Sequence, residues 1–347
     1  MTHREPPEIT VVTGASGWLG RALLTTLSNP DETRGRERIR ALVLNAADVP
    51  CVRALSERLE VHVGDIANGE VLARLLRGAE GADVFHCAGV IHPRRVREFE
   101  SINVAGALAL VTAARRASVR RVVHVSSNSP FGANPTPDDV FRAEEPFNPH
   151  MGYGRSKMRA EIVVGTANSN GLETTIVRPP WFYGPFQPAR QTKFLRAVRR
   201  GRFPIIGNGH NRRSMVYIGN LVDGLLRAEL EDRAAGRAFW IADRRPYELC
   251  EIVATTRRAL ADEGLAMSRL EPRRLPGLLA DIAERTDGLL QKHDRYIQEL
   301  HVLGEMNKTI ACDITRAEVE LKYTPQIELY EGMRASVRWC LSQGLAL

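Results

Sequence analysis

Six short apolar runs, separated for the most part by stretches with helical spacing, occupy the first half of the chain and leave few folds open to it. The runs are Ile9–Thr13, Ile39–Leu44, Leu59–Val63, Asp83–Cys87, Arg121–Val125 and Thr174–Val177. Between them, Trp18–Ser28, Val71–Leu76, Asn103–Ala117 and Gly152–Asn168 place small and apolar residues at helical intervals. Strands joined through helices pair in parallel, since a parallel neighbour cannot be reached by a tight turn. Right-handed crossovers then give an α/β, doubly wound parallel sheet with helices on both faces. After Pro179 the texture changes. Pro179-Pro180, Gly184-Pro185 and Gly207-Asn208-Gly209 mark turns, and helical patterns dominate the remainder. Met215–Ile218 followed by Leu221–Leu230 reads as a strand and helix returning to the main sheet, and Arg273–His301 as an amphipathic helical lobe.

Several function classes fall away. A 44% hydrophobic, 26% charged chain of 347 residues is an ordinary globular protein. It has no apolar run of the ~18 residues that a membrane span needs, and the polar stretch Met1–Glu8 does not read as a secretion signal. Five dispersed cysteines (Cys51, Cys87, Cys250, Cys312, Cys340) without a CxxC pair fit reduced thiols and a cytoplasmic location. The net charge of +7 comes mostly from arginines spread along the chain, which argues against a nucleic-acid tract. Anionic cofactor or substrate phosphates are a simpler use for it. None of the nine histidines has metal-ligand or triad spacing, so no metal is expected.

Three motifs carry chemistry. Thr13-Gly14-Ala15-Ser16-Gly17-Trp18-Leu19-Gly20 follows the first strand and opens a helix. Glycines there let the backbone approach a pyrophosphate, whose charge the free amides of the helix start can hold. Tyr153 and Lys157 stand four apart at the start of a helix, one turn from each other on one face. A nearby cation favours the phenolate and would bring a tyrosine, normally titrating near pH 10, towards use as an acid/base. Val125-Ser126-Ser127-Asn128-Ser129 ends the fifth strand, on the edge where open α/β sheets bind ligands. A serine hydroxyl there could steady a developing alkoxide, or only cap a turn.

Glycine loop, strand-end serine and YxxxK, in that order, resemble the extended short-chain dehydrogenase/reductase family, of the NAD-dependent epimerase/dehydratase type. Gly64-Asp65-Ile66, Cys87-Ala88-Gly89, Asn103-Val104-Ala105-Gly106 and Arg178-Pro179-Pro180 with Tyr183-Gly184-Pro185 resemble its further motifs, and the likeness runs from Ile9 to about Trp339. It implies a Rossmann fold over residues 1–180, with 214–235 returning to it, and a smaller, mostly helical substrate lobe over 181–347. It implies Tyr153 as acid/base, Lys157 as its pKa tuner and ribose ligand, Ser127 as partner of the substrate oxygen, and Asn103 as support for the lysine. NAD or NADP would lie against Gly14, Ser16, Gly17, Trp18, Leu19, Gly20, Asn45, Asp65, Ile66, Cys87, Ala88, Gly89, Tyr153, Lys157, Arg178 and Pro179. A small-molecule substrate would meet Ser127, Trp181, Tyr183 and Arg213, in a homodimer.

Two departures bear on specificity. Leu44 stands where family members that prefer NAD carry an acid and those that prefer NADP an arginine, so the cofactor choice stays open. Asn128-Ser129 stands where the 4,6-dehydratases carry an acidic pair, which argues against dehydration. Trp181 takes the place of an asparagine that contacts the sugar nucleotide in 4-epimerases, and their RPGD-like motif is replaced by Glu271–Gly277. The stretch from Glu271 to Asp313, with Phe203–Gly207 leading to Val216–Leu221, resembles the 3β-hydroxysteroid dehydrogenase-like branch. Arg213 alone matches an arginine that epimerases aim at a diphosphate. A net oxidoreductase on apolar ketones or secondary alcohols is therefore expected, with a nucleotide-sugar epimerase or sugar-ketone reductase as the alternative. Intact Tyr153 and Lys157 argue against a cofactor-binding regulator.

Overall fold

The computed structural model describes residues 4–29, 35–169, 171–270 and 272–347. The strands are β1 Ile9–Thr13, β2 Arg38–Val43, β3 Leu59–Val63, β4 Asp83–His86, β5 Arg121–Val125, β6 Glu173–Arg178, β7 Trp181–Tyr183, β8 Ile205–Ile206, β9 Arg212–Arg213, β10 Met215–Tyr217, β11 Ala238–Trp240, β12 Tyr247–Glu248 and β13 Arg274–Leu275. The helices are α1 Trp18–Leu27, α2 Val49–Arg53, α3 Gly69–Leu75, α4 Ala105–Arg116, α5 Met151–Thr166, α6 Ala189–Arg199, α7 Ile218–Leu230, α8 Leu249–Asp262, α9 Leu278–Lys292, α10 Gln298–Glu305, α11 Thr315–Glu320 and α12 Leu329–Ser342.

Seven strands form one parallel sheet in the order β11-β6-β5-β4-β1-β2-β3. All five residues of β1 are buried, as a central strand covered on both faces requires. One face packs under α1 and α7 through Leu23, Leu24, Leu27, Leu221 and Leu225. The other packs under α3, α4 and α5 through Leu72, Leu75, Leu110, Val111, Ala160 and Val164. From β1 the chain steps outward to β3, then crosses back to β4 on the other side of β1. Loops leaving β1 and β4 diverge, which opens a crevice at the carboxyl edge between them. A further core, with Phe194, Leu195, Ile252, Val253, Leu260, Met333 and Val337, holds α6, α8 and α12 together.

Three differences from the sequence-based expectation have physical causes. The strand at Met215–Tyr217 pairs with β7 in a separate two-stranded sheet; only the helix after it, α7, returns to the main sheet. The strand that joins the main sheet instead is β11, whose three residues are too short to show a period. Arg273–His301 is not one helix: β13 pairs with β8, and α9 and α10 are separated by a break where Asp294 adopts φ +58°. The helix expected from Asn103 begins at Ala105 and is preceded by a π-helical turn over Phe99–Val104, the wide turn that often marks functional positions. Among the described residues no helix is long and apolar enough to cross a membrane.

Candidate functional site

The crevice is lined first by the loop from Gly14 to Gly20. Gly14 has φ +69°, and a Cβ on it would stand 2.7 Å from the Ala88 amide nitrogen, so the β1 and β4 loops touch there without a side chain between them. A Cβ on Gly20 would lie 2.2 Å from the Gly14 carbonyl oxygen, which fixes α1 close under the loop. At Gly17 the nearest atom would be that same oxygen at 3.1 Å, so this glycine is set by the space outside rather than inside. It caps α1 with no side chain, and the first turn carries no acid, leaving the helix amides and dipole to an anion. Trp18, Leu19 and Gly20 are buried; the Trp18 indole donates to the Pro185 carbonyl and packs on Phe182, so only its backbone faces the crevice. These features fit a dinucleotide pyrophosphate.

Ser16 donates to the Asp48 carboxylate at 3.2 Å, beyond exposed Leu44 and Asn45 at the end of β2. Asp65 is exposed after β3 and accepts from the Ala67 amide, while Ile66 is buried against Gly106. After β4, the Ala88 amide bonds the Thr13 hydroxyl, and Asn103 pins the next residues by exchanging two hydrogen bonds with the Val90 backbone. A Cβ at Gly89 would meet the Asn103 side-chain oxygen at 3.1 Å. Asn103 also donates to Ser156, whose hydroxyl donates to the Tyr153 carbonyl. It is thus a positioning residue for the β4 loop and for α5, rather than a direct partner of Lys157.

Ser127 bears on the Tyr153 phenol, favouring its ionised form, and its hydroxyl contacts that of Ser129 at 3.3 Å. Ser126, by contrast, turns its hydroxyl into a buried place without a partner. Burial pushes the Tyr153 phenol up to about 12, against the pull of Ser127 and of the Arg190 guanidinium. Glu305 pushes in the same direction as burial. Lys157 is buried one turn further on and donates to the Val125 carbonyl at 2.7 Å. Burial lowers its ammonium to about 8, opposed by Glu161 and Cys87. Its charge bears on His86, Cys87 and His124.

The substrate-side residues divide. Tyr183 has no exposed surface and donates to Asp243, so it holds β7 to the end of β11 and does not reach a substrate. Arg178 is turned inward onto Glu161 and lies over the Phe131 ring, leaving only backbone, with buried Pro179 after it, towards the crevice. Trp181 is half-buried; its indole donates to Gln191 and meets Phe194 edge-on. Arg213 donates to the Glu305 backbone carbonyl and is desolvated there. A cluster of rings beside Tyr153 is built from residues that the sequence motifs did not single out. Phe99 contacts both Tyr153 and Tyr296 at 5.7 Å, His92 hydrogen-bonds Tyr296 at 2.8 Å, and His301 lies 5.5 Å from Tyr296. His301 is held at 2.8 Å from Asp287, and its proton affinity is raised by Asp287 and Glu305 against burial. His150, His301 and Glu305 bring donor atoms within 4.8 Å of one another.

Residues 10–242 match the profile of the NAD dependent epimerase/dehydratase family. The chain belongs to that family. The chain is 46% identical over 347 residues to an uncharacterized protein, y4nL, of Sinorhizobium fredii, covering 97% of this chain and 96% of the relative. It is 33% identical over 246 residues, 69% of this chain and 70% of the relative, to the 4-hydroxy-2-methyl-3-oxo-4-farnesyl-3,4-dihydroquinoline-1-oxide ketoreductase of Stigmatella aurantiaca. Among solved structures, the UDP-glucuronic acid 4-epimerase of Bacillus cereus in complex with NAD superimposes with a TM-score of 0.74 at 18% identity, covering 96% of this chain and 99% of that one. The family and its relatives make this chain an NAD-dependent enzyme of the dehydrogenase, reductase and epimerase group.

The family's pyrophosphate loop gives a first prediction. Gly17→Ala adds a methyl that the fold can absorb but that stands where the backbone must meet the phosphates. Calorimetry should read NAD affinity at least about tenfold weaker, ~1.4 kcal/mol, with a melting temperature close to that of the parent chain. Unaltered affinity would move the cofactor off this loop.

Proposed function

We propose that this enzyme is an NAD-dependent oxidoreductase that interconverts a ketone and a secondary alcohol through Ser127, Tyr153 and Lys157. The observation that carries the reading is the placement of Ser127, just past the carboxyl end of β5, where it bears on a half-buried Tyr153 phenol held neutral by desolvation. A phenol held near 12 is in its acid form at neutral pH, the form that a carbonyl reduction needs. The bound nicotinamide supplies or takes the hydride. Ser127 orients the substrate oxygen, and Tyr153 gives it a proton as negative charge develops there. Lys157 carries a positive charge below about pH 8, in which form it can bond the ribose.

The ring cluster beside Tyr153 favours net oxidation or reduction over epimerisation of a nucleotide sugar. Trp181 has one donor, already bonded to Gln191 and so not free for a sugar hydroxyl, and the Arg213 guanidinium has one nitrogen bonded to the Glu305 carbonyl. The ketoreductase relative supports the same reading. The test is consumption of NADH with a panel of ketones, beside NMR of nucleotide hexoses without added cofactor.

Asp48 supports a preference for NAD over NADP. Its carboxylate is tied to Ser16 in the cofactor loop, where a 2′-phosphate would meet like charge. Calorimetry should give a markedly lower Kd for NAD, and Asp48→Asn should narrow the ratio by roughly tenfold, ~1.4 kcal/mol. Tighter binding of NADP by the parent chain would refute this role.

A further inference from the structure

α9 shows to solvent what a helix of a globular lobe ordinarily buries. Its buried residues are Ala280, Ala283, Asp287 and Gln291, whereas Leu278, Leu279, Ile282 and Leu289 are exposed, Leu278 by 64% and Leu289 by 61%. An amphipathic helix normally turns its apolar stripe to the core and its charges to water. At roughly 100° per residue, Leu278, Ile282 and Leu289 form one outward seam, with exposed Arg285 and Lys292 along one side of it. The three carboxylates of the helix are drawn away from that seam. Asp287 accepts from Gln291 and lies 2.8 Å from the His301 ring, Glu284 pairs with Lys308 at 2.9 Å, and Asp281 accepts from Asn307 at 3.2 Å. Gln291 in turn accepts from the Gly152 amide at 3.0 Å, which ties the inner face to the residue before Tyr153. The polar inner face is used by the fold, and the apolar outer face lies open to solvent.

We propose that the outer face of α9 docks the enzyme on an anionic lipid surface. Four of the fifteen exposed large apolar residues among those described stand on this one helix, a concentration rather than the scatter that any surface carries. Lying in the interface, the seam would sink below the headgroups, while Arg285 and Lys292 stay level with the phosphates. Arg273 and Arg274, exposed just before the helix, and the net charge of +7 add to the attraction. A second copy of the chain would match the leucines. It would also set Arg285 and Lys292 against their own copies, with no exposed acid of either helix to meet them. An anionic bilayer uses both the apolar seam and the cations. At 15 residues α9 is too short to cross one, so it lies on the surface. Docking would bring the start of α5, and Tyr153 with it, to about one helix diameter from the lipid, where apolar ketones collect. The docking stands apart from the oxidoreductase reading.

The test is co-sedimentation of the full chain with vesicles of phosphatidylcholine alone and of phosphatidylcholine mixed with phosphatidylglycerol, at ~0.1 M salt. The parent chain should bind the anionic vesicles at least about tenfold more tightly than the neutral ones. Leu278→Ser, Ile282→Ser and Leu289→Ser combined should weaken anionic binding by about tenfold or more. Arg285→Gln with Lys292→Gln should bring anionic binding close to the neutral level. Neither variant should lower the melting temperature, since every replaced side chain is exposed. Val319→Ser, which removes an exposed apolar residue from α11, should leave vesicle binding unchanged. A parent chain that does not sediment with the anionic vesicles, or binding that survives the triple serine variant, would overturn the proposal. So would sedimentation equilibrium without lipid in which the parent chain forms an oligomer that the triple serine variant does not, because the face would then belong to a second copy.

Discussion

Tyr153→Phe is expected to lower turnover by at least about 100-fold, the range for loss of a general acid, while leaving NAD affinity and the melting temperature nearly unchanged. The ring remains in contact with Phe99, so packing is kept, and only the phenol hydroxyl and its interaction with Ser127 are lost. Because burial holds that phenol near 12, the parent enzyme should show no loss of reduction rate from tyrosine ionisation between pH 6 and 9. Stopped-flow reduction rates across that range, beside calorimetry with NAD, check both statements. Near-parent turnover in the variant would remove Tyr153 from the chemistry.

Lys157→Met is expected to cost activity and cofactor affinity together, by about tenfold or more each, without costing stability. Its ammonium is charged below about pH 8 and neutral above, so kcat/KM of the parent chain should fall as pH rises through 8. That limb should vanish in the variant. For folding the sign is opposite to that of a favourable charge. The unfolded lysine titrates near 10.5 and the folded one near 8, so the unfolded chain binds more protons between those values. The buried charge therefore costs stability in full below pH 8, on the order of 3 kcal/mol, and the cost disappears as pH rises to 10.5. Methionine removes that cost but leaves the Val125 carbonyl without its donor, so the melting temperature at pH 7 should be equal or higher. A lower melting temperature with an unchanged pH profile would make Lys157 a structural residue.

The Rossmann half was legible because its signals are local and repeated. The strand Ile9–Thr13 and the loop to Gly20 lie where the sequence pattern puts them, since a doubly buried strand and a glycine turn each leave an unmistakable run of residue types. Three-residue strands such as Ala238–Trp240 leave none, and their pairing is decided by tertiary packing. Motif residues were harder to assign by role than by place. Tyr183 belongs to a recognisable segment yet spends its hydroxyl on Asp243, a partner 60 residues away. The ring cluster beside Tyr153 was the least legible part. Phe99, Tyr296 and His92 are single residues on separate segments, and only the fold brings their rings together.

The most direct test of the account is a single competition followed by proton NMR. The protein is mixed with excess NADH, UDP-glucose and the panel of ketones, and the fate of every component is read from one series of spectra. The account predicts NADH oxidation matched one for one by a secondary alcohol from at least one ketone, with UDP-glucose unchanged. Appearance of UDP-galactose with NADH and every ketone untouched would contradict it, and would make the chain an epimerase that returns the hydride to the sugar from which it came.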